Sequence, residues 1–213
     1  MNVRLLKVFA SASAALVLSA CVSVLPDAPP PVPRFDVADV TPPAGTPVSW
    51  SLAIEDPIAT RAIDSAQIAR VRSGELYEYY ADGQWVDRAP RLVHAATVRS
   101  FQNSGRILAV GSRTSQPFVN FILQTDIRSF EADATSGALL ARAEIFAQLT
   151  DRRGRILAAK LFEVKTPLKS DNADQVTSAL NRSMGQLLPD LVDWTLEQGE
   201  QAYRGEAGGA QAN

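Results

Sequence analysis

Between Leu139 and Leu149 every second residue is apolar: Leu139, Ala141, Ala143, Ile145, Ala147 and Leu149. A period of two over that length places the six on one face of a strand and leaves Leu140, Arg142, Glu144, Phe146 and Gln148 on the other. A strand with one greasy face must pair along its edges and be covered on that face. The turn residues Asp151-Arg152-Arg153-Gly154 then predict a partner strand over Arg155 to Lys165. Upstream, Phe118 to Glu131 reads as a further long strand with Val119, Phe121, Leu123 and Ile127 on one face. Short turns between long neighbours predict an antiparallel meander. Shorter strands are expected at Val48 to Ile54, at Ile68 to Arg72 and Glu75 to Tyr80 around a Ser73-Gly74 turn, and at Ile107 to Gly111, with Asp82-Gly83 closing the Tyr80 strand.

Two segments carry helical rather than strand spacing. Pro90 suits a first helical turn, Leu92, Val93, Ala96, Thr97 and Phe101 form an apolar face, and Gly105 ends the run. A second helix begins near Asn172, with Gln175 placed for a capping box, and carries Val176, Leu180, Met184, Leu187, Leu188, Leu191 and Val192 as a stripe. Pro189 is expected to kink or split it. The expected fold is α+β, a mostly antiparallel sheet with two main helices packed on one face, occupying residues 48–200.

The ends of the chain read differently. Arg4 and Lys7 precede an apolar run, Val8 to Leu18, too short to span a bilayer as a mature helix, and Leu18-Ser19-Ala20-Cys21 has the form of a lipobox. Residues 1–20 are therefore expected as a lipoprotein signal, cleaved between Ala20 and Cys21, with covalent lipid, including fatty acyl chains such as palmitate, on Cys21. Several acyl chains hold a protein to a membrane firmly. Val22 in place of Asp leans toward the outer membrane rather than the inner one. Eight prolines between Pro26 and Pro47 make residues 21–47 a linker in composition, with a short strand expected at 35–40, and 201–213 read as a disordered tail.

Composition narrows the chemistry. One His and one Cys cannot build a structural zinc site or a disulfide framework, so no metal and no cofactor beyond the lipid is expected. Net charge is −2, so no basic field points to nucleic acid. Phosphate-binding glycine loops and the G-x-S-x-G nucleophile elbow are absent from the sequence. His94 reads as a helix-edge structural residue, and the carboxylate pairs Glu55-Asp56 and Asp171/Asp174 are explained by solvation and capping. No enzyme is expected. Arg152, Arg153 and Arg155 read either as a contact for acidic lipid headgroups or a partner, or as a charged soluble turn. Tyr77, Tyr79, Tyr80 and Trp85 read either as core or as a partner or ligand surface; alternation sets Tyr77 and Tyr79 on one face and Leu76, Glu78 and Tyr80 on the other.

Ile68-Ala69-Arg70-Val71, the tyrosine strand Leu76 to Tyr80, and Trp85 with Asp87 ahead of a Leu-containing helix resemble the ABC-type transport auxiliary lipoproteins, the PqiC-like group. The lipobox, long strands and last helix fall in the same order, so the resemblance covers roughly residues 35–199. It implies a non-enzymatic, membrane-anchored envelope protein that accompanies an MCE-domain protein, an ABC permease and an ATPase in moving lipids or other apolar molecules between two membranes. It supplies no catalytic residues, and it is compatible with a homo-oligomer. An envelope-assembly lipoprotein would share the anchor, linker and fold.

Overall fold

The computed structural model describes residues 31–73 and 75–211; the expected signal peptide, the Ala20–Cys21 cleavage site and Gly74 lie outside them. The strands are β1 (Arg34–Phe35), β2 (Val48–Ile54), β3 (Ile58–Ala59), β4 (Gln67–Arg72), β5 (Leu76–Trp85), β6 (Ile107–Ser112), β7 (Phe121–Ala134), β8 (Leu140–Asp151) and β9 (Ile156–Pro167). The helices are α1 (Ala89–Ser104) and α2 (Ala173–Gln211). The fold is α+β, as expected. Its sheet is mixed: β7–β8–β9 and β4–β5 are antiparallel, while β2, β3 and β4 run parallel to β7.

β7 is the hub. One of its edges is taken by β8 along almost its whole length, and the other in succession by β2 at Phe121–Leu123, β3 at Asp126–Ile127 and β4 at Ala132–Ala134. β6 extends the sheet beyond β2, β5 and β1 extend it beyond β4, and β9 is outermost beyond β8. The alternating residues of β8 do what their spacing predicts: Ala141, Ala143, Ile145, Ala147 and Leu149 are buried in one core. Both helices close that core from the same side, α1 with Leu92, Val93, Ala96 and Phe101, α2 with Val176, Leu180, Met184, Leu188 and Leu191.

Several expectations change. Gly105 does cap α1, at φ 61°, a conformation that suits a residue without Cβ. β5 does not stop at Asp82-Gly83 but continues to Trp85, because Gly83 is buried where a Cβ would collide with Phe35 and Ala173. β7 begins at Phe121 rather than Phe118. Val119 is not on the Phe121 side; it joins Ala53 and Ile122 in a small cluster on the opposite face. The strand expected at 35–40 is reduced to Arg34–Phe35, paired with Gln84–Trp85.

Residues 32–47, expected as tether, lie along the domain as a strap. Val37 and Pro42 are buried. Asn181 on α2 accepts from the Ala38 N–H at 2.9 Å and donates to the Asp36 carbonyl at 3.1 Å. Asp39 pairs with Arg99, and Asn103 donates to the Val40 carbonyl at 3.3 Å.

α2 starts where expected, with Asn172 Oδ1 accepting from the Gln175 N–H at 3.0 Å. Pro189 does not split it, since hydrophobic contacts on both sides of the missing hydrogen bond hold the helix in place. It also passes residue 200, where the tail was expected. Ala202 and Tyr203 pack on the core, and Glu200 accepts from the indole N–H of Trp50 at 3.1 Å. No helix among the described residues is long and apolar enough to cross a membrane.

Two glycines of α2 make the packing testable. A Cβ at Gly199 would lie 2.4 Å from the buried Trp50 indole, whereas at Gly185 it meets open space. Gly199→Ala should lower unfolding stability by about 1–3 kcal/mol through overpacking, despite better helix propensity. Gly185→Ala should raise it by about 0.5–1 kcal/mol. Urea titrations of the two variants read both signs.

Candidate functional site

The sheet face away from the helices carries the most unusual side chains of the molecule, and a β-bulge puts them there. Up to Ile127 the odd-numbered residues of β7 face the core. Ile127 is opposite Ile145, but Ser129 is already opposite Glu144 and Phe130 opposite Ala143. Arg128 is the extra residue, its guanidinium lying 4.6 Å over the ring of Phe146. After the bulge the even-numbered residues Phe130 and Ala132 are in the core. Ser129, Glu131 and Asp133 are thereby turned to the far face, a known use of bulges.

There they meet the outer residues of β8 and β9. Across the strands run the registers Glu131–Arg142–Lys165 and Ser129–Glu144–Glu163, and Asp133 lies beside Val71, which is opposite Tyr77. These side chains surround a concave space of about 610 Å³ lined by Tyr77, Arg128, Glu131, Asp133, Arg142 and Glu144, among others. Arg142 is its electrostatic centre. It pairs with Glu144, bonds Glu163 at 2.8 Å and reaches Asp133 at 4.0 Å, while Lys165 holds Glu163 at 3.0 Å.

The carboxyls differ in state. Glu131 is 2% exposed, and this burial pushes it up to about 7, against the pull of the Phe130 N–H donated to it at 2.7 Å. Asp133 is also disfavoured as an anion by desolvation, but bonds from the Thr135 hydroxyl and N–H outweigh this and hold it below the usual carboxylate range. Glu163 is lowered by Lys165 first and by Arg142. Tyr77 is raised by desolvation and by Glu131. The space is polar, so an acyl chain gains little by entering it. A hydrogen-bonding protein surface suits it better.

The expected aromatic surface is divided. Tyr77 and Tyr79 do project from the far face, 36% and 39% exposed. Tyr80 is on the helix side, half-buried, with its hydroxyl donating to Asp171, which also pairs with Arg70 at 2.7 Å. Trp85 is 1% exposed and stacks on Phe130 with centroids 5.3 Å apart. It is core, and so cannot be part of an open surface with Tyr77 and Tyr79. Cys21 and Ala20 lie outside the described residues. His94 is held between the Ile54 carbonyl, 3.2 Å from Nε2, and Asp56, 3.5 Å from Nδ1, at the junction of α1 and the sheet. Among the described residues no three His, Cys, Asp or Glu side chains converge as a metal-ligand set. Arg142 and Glu144 were legible as outer residues of β8; Glu131 and Asp133 were not, because the bulge reverses their facing.

Glu131 gives a pH signature of unusual sign. Its folded-state value lies above that of an unfolded glutamate, so between about pH 4.5 and 7 the native state binds the extra proton. Its contribution therefore weakens stability as pH rises through that window and is constant above it. Glu131→Gln should be more stable than the parent at pH 8, by about 1–3 kcal/mol, and indistinguishable at pH 4. Denaturation midpoints at both pH values check this.

Comparison with known proteins agrees with this architecture. The sequence profile of the ABC-type transport auxiliary lipoprotein component matches residues 35–192. The chain is 27% identical to the uncharacterized protein bll6063 of Bradyrhizobium diazoefficiens over 154 residues, 72% of this chain; it spans only 41% of that relative's length. The crystal structure of protein XCC0632 from Xanthomonas campestris, of the DUF330 family, superposes with a TM-score of 0.74 at 30% identity, covering 80% of this chain and 99% of that one. A second solved structure, of an uncharacterized protein, shares the fold with a TM-score of 0.58 at 13% identity over 76% of this chain and 97% of its own. The profile match, spanning most of the strap, strands β2 to β9 and the first half of α2, establishes that the chain belongs to the family of ABC-type transport auxiliary lipoprotein components.

Proposed function

We propose that this lipoprotein docks an ABC/MCE-type transport system at a membrane of the cell envelope, without catalysis of its own. Cys21 carries the lipid, and Val22 favours the outer membrane. The partners are an MCE-domain protein with its permease and ATPase, and the cargo is a lipid or another apolar molecule. Such cargo needs a shielded path across water, because each exposed CH₂ costs about 0.8 kcal/mol. An anchored adaptor holds one end of that path at its membrane and raises the local concentration of the docking surface.

The observation that carries this reading is the uncovered sheet face. Family membership supplies the transport context. The face supplies two exposed tyrosine rings beside Arg142, residue types enriched in protein interfaces, and its polar lining offers an acyl chain little.

The test is a pull-down from detergent-solubilised envelopes of the native organism through a C-terminal tag, read by mass spectrometry. An MCE-domain protein with permease and ATPase is expected, and Tyr77→Ala/Tyr79→Ala should reduce its recovery by about tenfold or more. Recovery of envelope-assembly factors instead would overturn the transport role. Unchanged recovery with the folded double variant would overturn the assignment of the face.

A further inference from the structure

The two ends of the long β7–β8–β9 meander are chemically unlike. At one end the β7–β8 turn, Thr135-Ser136-Gly137-Ala138, carries no charged side chain. At the other the β8–β9 turn is Asp151-Arg152-Arg153-Gly154-Arg155, followed by Ile156. The turn is held from inside. The Asp151 carboxylate accepts from the backbone N–H groups of Arg155 and Arg153, both at 2.9 Å, and from Arg155 Nε at 3.1 Å. Those bonds, the Arg155 N–H first, hold Asp151 below the usual carboxylate range. Asp151 is 6% exposed, so the one acid of the turn is spent on its backbone while Arg152 and Arg153 stand in solvent.

A loop from β7 lies beside this turn. Asn120, fixed by accepting from the Ser51 N–H at 3.0 Å, lines the same hollow as Asp151, Arg152 and Arg153. Val119 is buried against Ala53 and Ile122, and its chain neighbour Phe118 is thereby turned outward, 93% exposed. Ile156 is 57% exposed, and Arg113 is exposed in the loop that leads to Phe118. One end of the sheet thus presents apolar side chains among cationic ones, on backbone that is tied down.

We propose that this end, Phe118 and Ile156 with Arg152 and Arg153, is a docking surface for an anionic lipid bilayer. Guanidinium groups match headgroup phosphates, and an exposed ring on a loop that shares a hollow with Arg152 and Arg153 through Asn120 fits the boundary between headgroups and acyl chains. An acidic protein would neutralise the arginines but leave Phe118 in need of a pocket. This proposal does not depend on which transport partner binds the far face. It gives the domain a contact with a membrane that is separate from its N-terminal anchor.

The full chain, incorporated in neutral phosphatidylcholine vesicles immobilised through a biotinylated lipid, tests it. Fluorescent vesicles containing phosphatidylglycerol should be captured, and vesicles of phosphatidylcholine alone should not. Arg152→Glu/Arg153→Glu should lower capture by about tenfold or more. Phe118→Ser should lower it severalfold and leave its salt dependence intact. Raising salt from about 0.05 M to about 0.5 M should release the vesicles from the unmodified protein. Equal capture of anionic and neutral vesicles, or capture indifferent to both the arginine substitutions and salt, would overturn the proposal.

Discussion

A single inserted residue sets the chemistry of this domain. β7 is the strand against which everything else is assembled, with β8 on one edge and β2, β3 and β4 on the other. An unbroken period of two along it would put Glu131 and Asp133 under the helices, at an expense no nearby partner could offset. The bulge at Arg128 reverses the facing. It delivers Phe130 to stack on Trp85 and Ala132 to the core, and it assembles the carboxylates with Arg142 on the uncovered side. Core and charged face are two results of one irregularity.

The two faces of the sheet then differ in character. The helix side is closed by α1 and α2 and braced by the strap, whose hydrogen bonds to Asn181 and Asn103 join the N-terminal segment to both helices. Among the described residues no helix covers the far side, which is polar and internally paired.

Much of this was legible in the residues. The β8 alternation, the Ser73 hairpin, the Gly105 cap and the Asn172 start of α2 are local signals, and local physics decides them. The failures have a common cause in tertiary contact. β5 continues through Gly83 because Phe35 and Ala173 need the space above it. α2 survives Pro189 because its apolar stripe is buried on both sides of that position. The Pro-rich strap adheres because Val37 and Pro42 are buried on the domain, which no composition count reveals. Of the aromatic quartet, alternation correctly separated Tyr77 and Tyr79 from Tyr80. Trp85 was misplaced because the pairing of β5 with β4 shifts between Tyr79 and Gln84, which turns Trp85 to the core side and leaves no periodic trace.

The most direct test of this account is deletion of Arg128, compared with Arg128→Ala by urea denaturation. The substitution removes the contact with Phe146 and the half-exposed ion pair with Asp126 at 3.5 Å, and should cost about 0.5–1.5 kcal/mol. The deletion forces Glu131 and Asp133 toward the core and Phe130 and Ala132 away from it, and should abolish cooperative folding or cost more than about 4 kcal/mol. A deletion variant as stable as the substitution would show that the bulge does not govern the facing of β7, and would contradict the account.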